Sequence, residues 1–107
     1  MRQLRTLDEV TEQYFREHPD EIDDYLAEIF QAYAEDNDTG ALLASLRVLA
    51  RVQGVTDMAT RIGMTRQGIQ KALSDDGNPR LGSVMAIMKA LGYCLVPQKL
   101  PESQQVS

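Results

Sequence analysis

The chain has no tryptophan, one cysteine, one histidine and two phenylalanines in 107 residues, and each shortage removes a class of function. Cys94 alone cannot close an internal disulfide. It lies in the apolar stretch "YCLVP" without a histidine or carboxylate close by in sequence, so a small core residue is expected there rather than a reactive thiol. His18, in "EHPD", has no second base or metal ligand placed beside it by sequence. A zinc-ligand spacing, a phosphate-cradling glycine loop and a dinucleotide fingerprint are all missing. Paired acids such as Asp23 with Asp24, or Asp75 with Asp76, are immediate neighbours that accompany no candidate nucleophile. No catalytic residue, metal or cofactor is therefore expected, and an enzyme is the least favoured class. Long apolar runs are missing too. The start "MRQLRTLDEVTEQ" has no apolar h-region, and "ALLASLRVLA" is interrupted by Arg47 and too short to span a bilayer, so no membrane role and a cytoplasmic location are expected.

What is present is a chain of single-domain length, or one domain with a small appendage, that can bury only a modest core. Its net charge of −5 is unevenly spread. Residues 1–38 hold three arginines against twelve acids, a net −9, and residues 39–107 hold eight Lys and Arg against four acids, a net +4. Such a partition suggests two surfaces with opposite partners.

The periodicities are helical. Thr6 with Glu9 forms a capping-box signature, and Leu7, Val10 and Tyr14 recur at helical spacing, which predicts a first helix from about Leu7 to Arg16. Pro19 is expected at the first position of a second helix with an acidic opening turn and an apolar stripe through Ile22, Tyr25, Leu26, Ile29, Phe30 and Tyr33. "EDNDTG" marks a seam. A third helix is expected from about Thr39 to Gln53 with Leu42, Leu46 and Leu49 inward, and a fourth from a Thr56 cap to Gly63. A fifth should run from a Thr65 cap to about Ser74, and a sixth should carry Leu81, Val84, Met85, Met88 and Leu91 to Gly92. "YCLV" before Pro97 is rich enough in β-formers to predict a short strand, and "ESQQVS" is expected to be a disordered tail. The expected organisation is an acidic helical extension over residues 1–37, a second unit over 38–97 and a tail over 98–107.

The stretch "RIGMTRQGIQKAL" carries the functional argument. Two helices meeting at a sharp angle need a small residue at their approach, a glycine at the turn and apolar wedges, and Ala59, Gly63 and Ile69 with Met58, Ile62 and Leu73 supply them. That pattern is a helix-turn-helix. With Ile69, Ala72 and Leu73 turned inward, Arg66, Gln67, Gln70 and Lys71 share the opposite side, and none of them is an acid. Arg can donate twice to guanine O6 and N7, and Gln can bridge N6 and N7 of adenine, so the four are candidate base-contacting residues in a major groove. Thr56 and Arg61 on the fourth helix, Thr65 at the cap, and Asn78 and Arg80 in the "GNPR" loop are candidate phosphate contacts.

Residues 39–97 resemble a lambda-repressor-type (Cro/repressor, XRE-like) helix-turn-helix domain. From about residue 20 to 97 the chain is similar to the addiction-module antidote proteins, the antitoxins encoded beside RelE/ParE-like toxins. The similarity is carried by "VTDMATRIGMTRQGIQKALSDDGNPRLGSVMAIMKALGY", by the acidic "YLAEIFQAYAEDND" before it, and by Ser74 with Gly77-Asn78-Pro79 after the fifth helix. Asp57 departs from the pattern, since relatives often carry Gln or Glu near the start of the fourth helix. The resemblance implies a lambda-repressor-like helix-turn-helix bundle, and with the N-terminal helical extension and the short C-terminal strand read from the residues above, the fold expected is all-α. It implies Thr65, Arg66, Gln67, Gln70 and Lys71 on a recognition helix, and an N-terminal segment that meets the toxin. Tyr14, Phe15, Glu21, Asp24 and Glu28 are the candidate toxin contacts, because an acidic helix can cover the basic surface of a protein that handles RNA.

The function expected is that of a sequence-specific DNA-binding antitoxin, a homodimer with half-sites about 34 Å apart that represses its own operon and neutralises its toxin. Its partners would be double-stranded operator DNA and a small basic toxin protein. The competing possibilities are a stand-alone helix-turn-helix repressor without a toxin and a helical protein-binding adaptor.

Overall fold

The computed structural model describes residues 7–104. Its helices begin and end where capping side chains and left-handed residues allow. The first, α1 (Leu7–Glu17), opens with Asp8 and Glu9 at the end of the helix that favours negative charge; Thr6 lies outside the described residues. Pro19 does not open an α-helix as expected. It starts a single 3-10 turn, Pro19–Glu21, from which α2 (Ile22–Asp36) follows and stops at Asn37 in the left-handed conformation, φ 56°. Then α3 (Thr39–Gln53) starts on Asp38, whose carboxylate accepts from the Ala41 amide at 3.0 Å.

Gly54 ends α3 and also starts α4 (Val55–Ile62), because at φ 105° it turns the chain at once. The expected cap at Thr56 is therefore displaced: Thr56 lies within the first turn of α4, and its carbonyl accepts from the Thr60 hydroxyl at 3.1 Å. Gly63, left-handed, closes α4, and α5 (Arg66–Ala72) and α6 (Leu81–Leu91) complete the bundle, α6 ending at left-handed Gly92.

The core is built around α3. Leu43, Leu46, Leu49 and Ala50 are buried together with Met58 and Ala59 of α4, Ile69 and Leu73 at α5, and Ile87, Met88 and Ala90 of α6. Phe15 of α1 and Leu26 of α2 belong to the same cluster, with α1 and α2 both lying on α3. Among the described residues, no helix is long and apolar enough to cross a membrane.

The expected C-terminal strand does not exist. Among the described residues there is no β-strand, and the architecture is a six-helix all-α bundle. The β-forming composition after Gly92 has a different outcome. Tyr93 and Leu95 pack inward while Cys94 and Val96 face solvent, a strand-like alternation, but no second segment pairs with this one. Cys94 is accordingly exposed and not a core residue. Leu81, expected in the core, is 74% exposed, because α6 begins there and its inward face starts only at Val84. Residues 102–104, within the expected disordered tail, form a 3-10 turn.

The Tyr93 hydroxyl donates to Asp23 of α2, tying the segment after α6 to the acidic helix. Burial first, then that hydrogen bond and the charge of Asp23, push the Tyr93 phenol from 10.0 up to about 12. The fold thus favours the neutral phenol. Its contribution is complete below pH 10 and is lost as pH rises through about 12. Tyr93→Phe should cost about 1 kcal/mol at neutral pH. In thermal melts of both proteins the gap between them should close across that alkaline window, and a gap independent of pH would contradict the assignment.

Candidate nucleic-acid interface

Helix α5 is short, and its inner side is fixed at several points. Ile69 and Leu73 are each only 1% exposed, and Ala72 packs against the same core. Thr65 caps the helix with its hydroxyl oxygen, which accepts from the Gly68 amide at 2.8 Å. With those positions facing inward, Arg66, Gln67, Gln70 and Lys71 are all exposed. No acid lies on α5, and among the described residues neither Arg66 nor Lys71 has a carboxylate within salt-bridge distance. Two cations and two amides therefore stand on one helix with their donors unspent, a set able to form bidentate bonds to base edges.

The other cations and hydroxyls expected nearby are placed less uniformly. Arg61 is exposed but paired with Asp57 at 3.1 Å, one turn away on α4. Such an exposed pair is weak, so an anion can compete for the guanidinium. Thr56 and Thr65 are exposed, and the hydroxyl proton of Thr65 stays free to donate while its oxygen caps α5. Asn78 and Arg80 are exposed in the loop between α5 and α6, and Arg80 has no ion pair among the described residues.

That loop is locked rather than slack. Ser74 donates through its hydroxyl to the Lys71 carbonyl at 2.8 Å, and the Gly77 amide donates to the Ser74 carbonyl at 2.9 Å. A Cβ at Gly77 would lie 2.4 Å from the Ala72 carbonyl oxygen, so only glycine fits. The "S..GNP" pattern thus has a mechanical meaning: it closes the end of α5 in a tight turn and presents Asn78 and Arg80 just beyond it.

In the sequence Arg47 of α3 reads only as the charge that interrupts an apolar run and not as a site residue, yet it holds this end of the site. Its guanidinium donates to the Leu73 carbonyl at 2.6 Å and to the Asp75 carboxylate at 3.2 Å. One turn further along α3, Arg51 lies within ion-pair reach of Asp8 at 3.7 Å and Glu12 at 3.5 Å on α1. A cleft of about 250 Å³ beside this contact is lined by the two arginines and by Ile69, Gln70 and Leu73. The signal that could have found Arg47 is its own oddity, a cation inside the leucine-rich run "ALLASLRVLA", where a charge is tolerated only with partners.

The residues expected to meet a protein partner lie on α1, α2 and the turn between them. Tyr14, Glu21, Asp24 and Glu28 are exposed. Phe15 is not: at 6% exposure, with its ring 4.5 Å from that of Tyr25, it is part of the core and offers no surface to a partner. With Tyr14 on the outer side of α1, helix geometry turns its neighbour about 100° away, toward the core.

Over residues 6–98 the chain matches the family described as "Probable addiction module antidote protein". The chain belongs to that family. It is also similar to a Haemophilus influenzae protein described as an uncharacterized protein, with 43% identity over 72 residues that cover 67% of this chain and 70% of that relative. No solved structure matches it significantly. An antidote protein acts as a regulator and not as an enzyme, and it implies a toxin as counterpart. The match takes in α1 through α6 and the loop after α5, so the antidote's surface includes both the cationic helix and the acidic pair.

Two substitutions test how α5 is held. Gly77→Ala should destabilise the antidote by about 1–3 kcal/mol, since the added methyl meets backbone that has nowhere to go. Gly82→Ala, where nothing lies within 4 Å, should be tolerated. Arg47→Met keeps the aliphatic stem but removes the clamp and should cost about 1.5–3 kcal/mol, chiefly the charge-assisted bond to the partly buried Leu73 carbonyl, since the Asp75 carboxylate is exposed. Chemical denaturation measures both, and wild-type midpoints for Gly77→Ala and Arg47→Met would contradict the geometry.

Proposed function

We propose that this antidote protein is a sequence-specific DNA-binding antitoxin that represses its own operon. In this reading α4, the Gly63 turn and α5 act as a lambda-repressor-like helix-turn-helix, with α5 entering the major groove of operator DNA. The observation that carries it is the common exposure of Arg66, Gln67, Gln70 and Lys71 on a helix anchored from behind. Arg66 and Gln67, nearest the helix start, would contact base edges with Gln70, while Lys71 serves bases or adjoining phosphates.

Phosphate contacts would come from Thr56, Arg61, Thr65, Asn78 and Arg80. The amides that open α4 and α6 support this, since neither helix has a side-chain cap hydrogen bond to occupy them. One module of this size reads only a few base pairs, so a two-fold dimer on half-sites about 34 Å apart fits the geometry of such motifs. The acidic α1–α2 pair would face a small basic toxin of RelE/ParE-like type, and both activities belong in the cytoplasm. Membership of the antidote family favours this over a stand-alone repressor, and an acid-free α5 favours DNA over a purely protein partner.

Gel shifts on the DNA upstream of its own gene provide the test. Arg66→Ala and Gln67→Ala should each lose about 1–3 kcal/mol and relax base preference at one position. Lys71→Ala, if it meets phosphate, should weaken all sequences alike and lower the slope of log affinity against log salt by about one. Unchanged affinity in all three variants would refute the interface.

A further inference from the structure

Six large apolar side chains are exposed among the described residues: Leu7, Val10, Tyr14, Leu81, Val96 and Leu100. Half of them lie on α1. With 3.6 residues per turn, positions 7, 10 and 14 fall within a sector of about 60°, so they form one continuous stripe. It is not the face by which α1 joins the bundle. That face carries buried Phe15, with Asp8 and Glu12 reaching Arg51 of α3. Leu7 is 80% exposed, Val10 50% and Tyr14 39%, an arrangement that leaves the helix amphipathic toward solvent.

Tyr14 is fixed in place before anything binds. Its ring stacks on His18 at 4.3 Å with an interplanar angle of 19°, and meets the edge of Phe15 at 5.3 Å and 90°. Its hydroxyl donates to the Glu21 carboxylate at 2.5 Å. That bond, with desolvation and the charges of Glu21 and Asp20, raises the phenol above its ordinary value and keeps it a neutral donor. A rigid aromatic side chain with little rotamer entropy left to lose is the usual form of an interface anchor.

The surroundings of the stripe select its occupant. Residues 7–38 hold twelve acids against one cation, Arg16, and Arg16 is already bonded to Glu12 at 2.7 Å and to the Arg51 carbonyl at 3.1 Å. Glu17, Asp20 and Glu21 lie around the Tyr14 end. A second copy of this chain would set like charges face to face, and a nucleic acid would be repelled. A basic protein with an apolar groove satisfies both features.

We propose that the Leu7–Val10–Tyr14 face of α1 is the docking surface for the toxin, a basic protein that takes α1 lengthwise into an apolar groove bordered by Lys and Arg. This rests on the antitoxin function proposed above and adds the face and the mode of contact. The acids supply attraction and a salt-sensitive encounter rate, and the stripe supplies the desolvated centre.

The experiment uses the full-length chain and, as the toxin probe, the purified product of the reading frame beside its gene, with affinity measured by calorimetry. Val10→Glu and Tyr14→Ala should each weaken binding by about tenfold or more, the effect of losing one central anchor. Val10→Leu should bind as the wild type does. Because these side chains are exposed, the unfolding midpoint and operator affinity of Val10→Glu should stay at wild-type values, which separates lost contact from lost fold. Wild-type toxin affinity in both Val10→Glu and Tyr14→Ala would overturn the docking surface alone. Sedimentation in which Val10→Glu dissolves a homodimer without moving toxin affinity would overturn it in favour of a second copy. Absence of binding by the wild-type chain would overturn the toxin partnership itself, and the docking surface with it.

Discussion

At seven residues, α5 is too short to persist on its own backbone hydrogen bonds, so its orientation depends on burying Ile69 and Leu73 in the bundle core. Every other feature around it acts on the same problem. Thr65 satisfies an amide at the start, the Arg47 guanidinium satisfies a carbonyl at the end, and Gly77 lets the following loop fold back closely enough to finish the helix. Four polar side chains can then stay exposed without each having to find a partner inside the protein. A longer helix could hold itself; this one takes its geometry from its neighbours.

The neighbour with most influence is α3. It carries much of the core on one side and two arginines a turn apart on another, Arg47 directed to the end of α5 and Arg51 to the carboxylates of α1. The charge partition of the chain acquires a structural meaning here. Asp8 and Glu12, which α1 spends on Arg51, are two of the twelve acids over residues 7–38, and the other ten are exposed, whereas the cations of α5 are spent on nothing among the described residues. One bundle therefore presents two surfaces of opposite sign that share a supporting helix. The common core of Phe15 and Leu26 with Leu46 and Met58 means that the acidic helices are packed into the bundle, so surface substitutions separate the two surfaces more cleanly than truncation does.

Much of this was legible in the residues because the signals were local. Asp38 and Gly54 bound α3 within the predicted Thr39–Gln53, and Gly63, Thr65 and Gly92 mark ends that need a left-handed residue or a capping hydroxyl. What failed was non-local. "YCLV" has the composition of a strand, but a strand is a relation between two segments, and an all-helical bundle offers no edge to pair with. Cys94 and Leu81 are exposed because their positions relative to the core depend on where α6 starts and stops against α3 and α4. Phe15 and Tyr14 were indistinguishable as aromatic neighbours until the rotation of α1 on α3 was known. Arg47 was hidden for the same reason: its partners lie 26 and 28 residues away in sequence.

Isotope-labelled protein titrated with duplex DNA from upstream of its own gene tests most directly whether the proposed surface meets nucleic acid. Amide and side-chain resonances of Arg66, Gln67, Gln70 and Lys71 should shift most, followed by those of Asn78 and Arg80, while Leu7, Val10 and Tyr14 stay where they are. Saturable shifts confined to α1 and α2, or none on α5 with a duplex that binds, would contradict the claim that the outward face of α5 is built to meet bases.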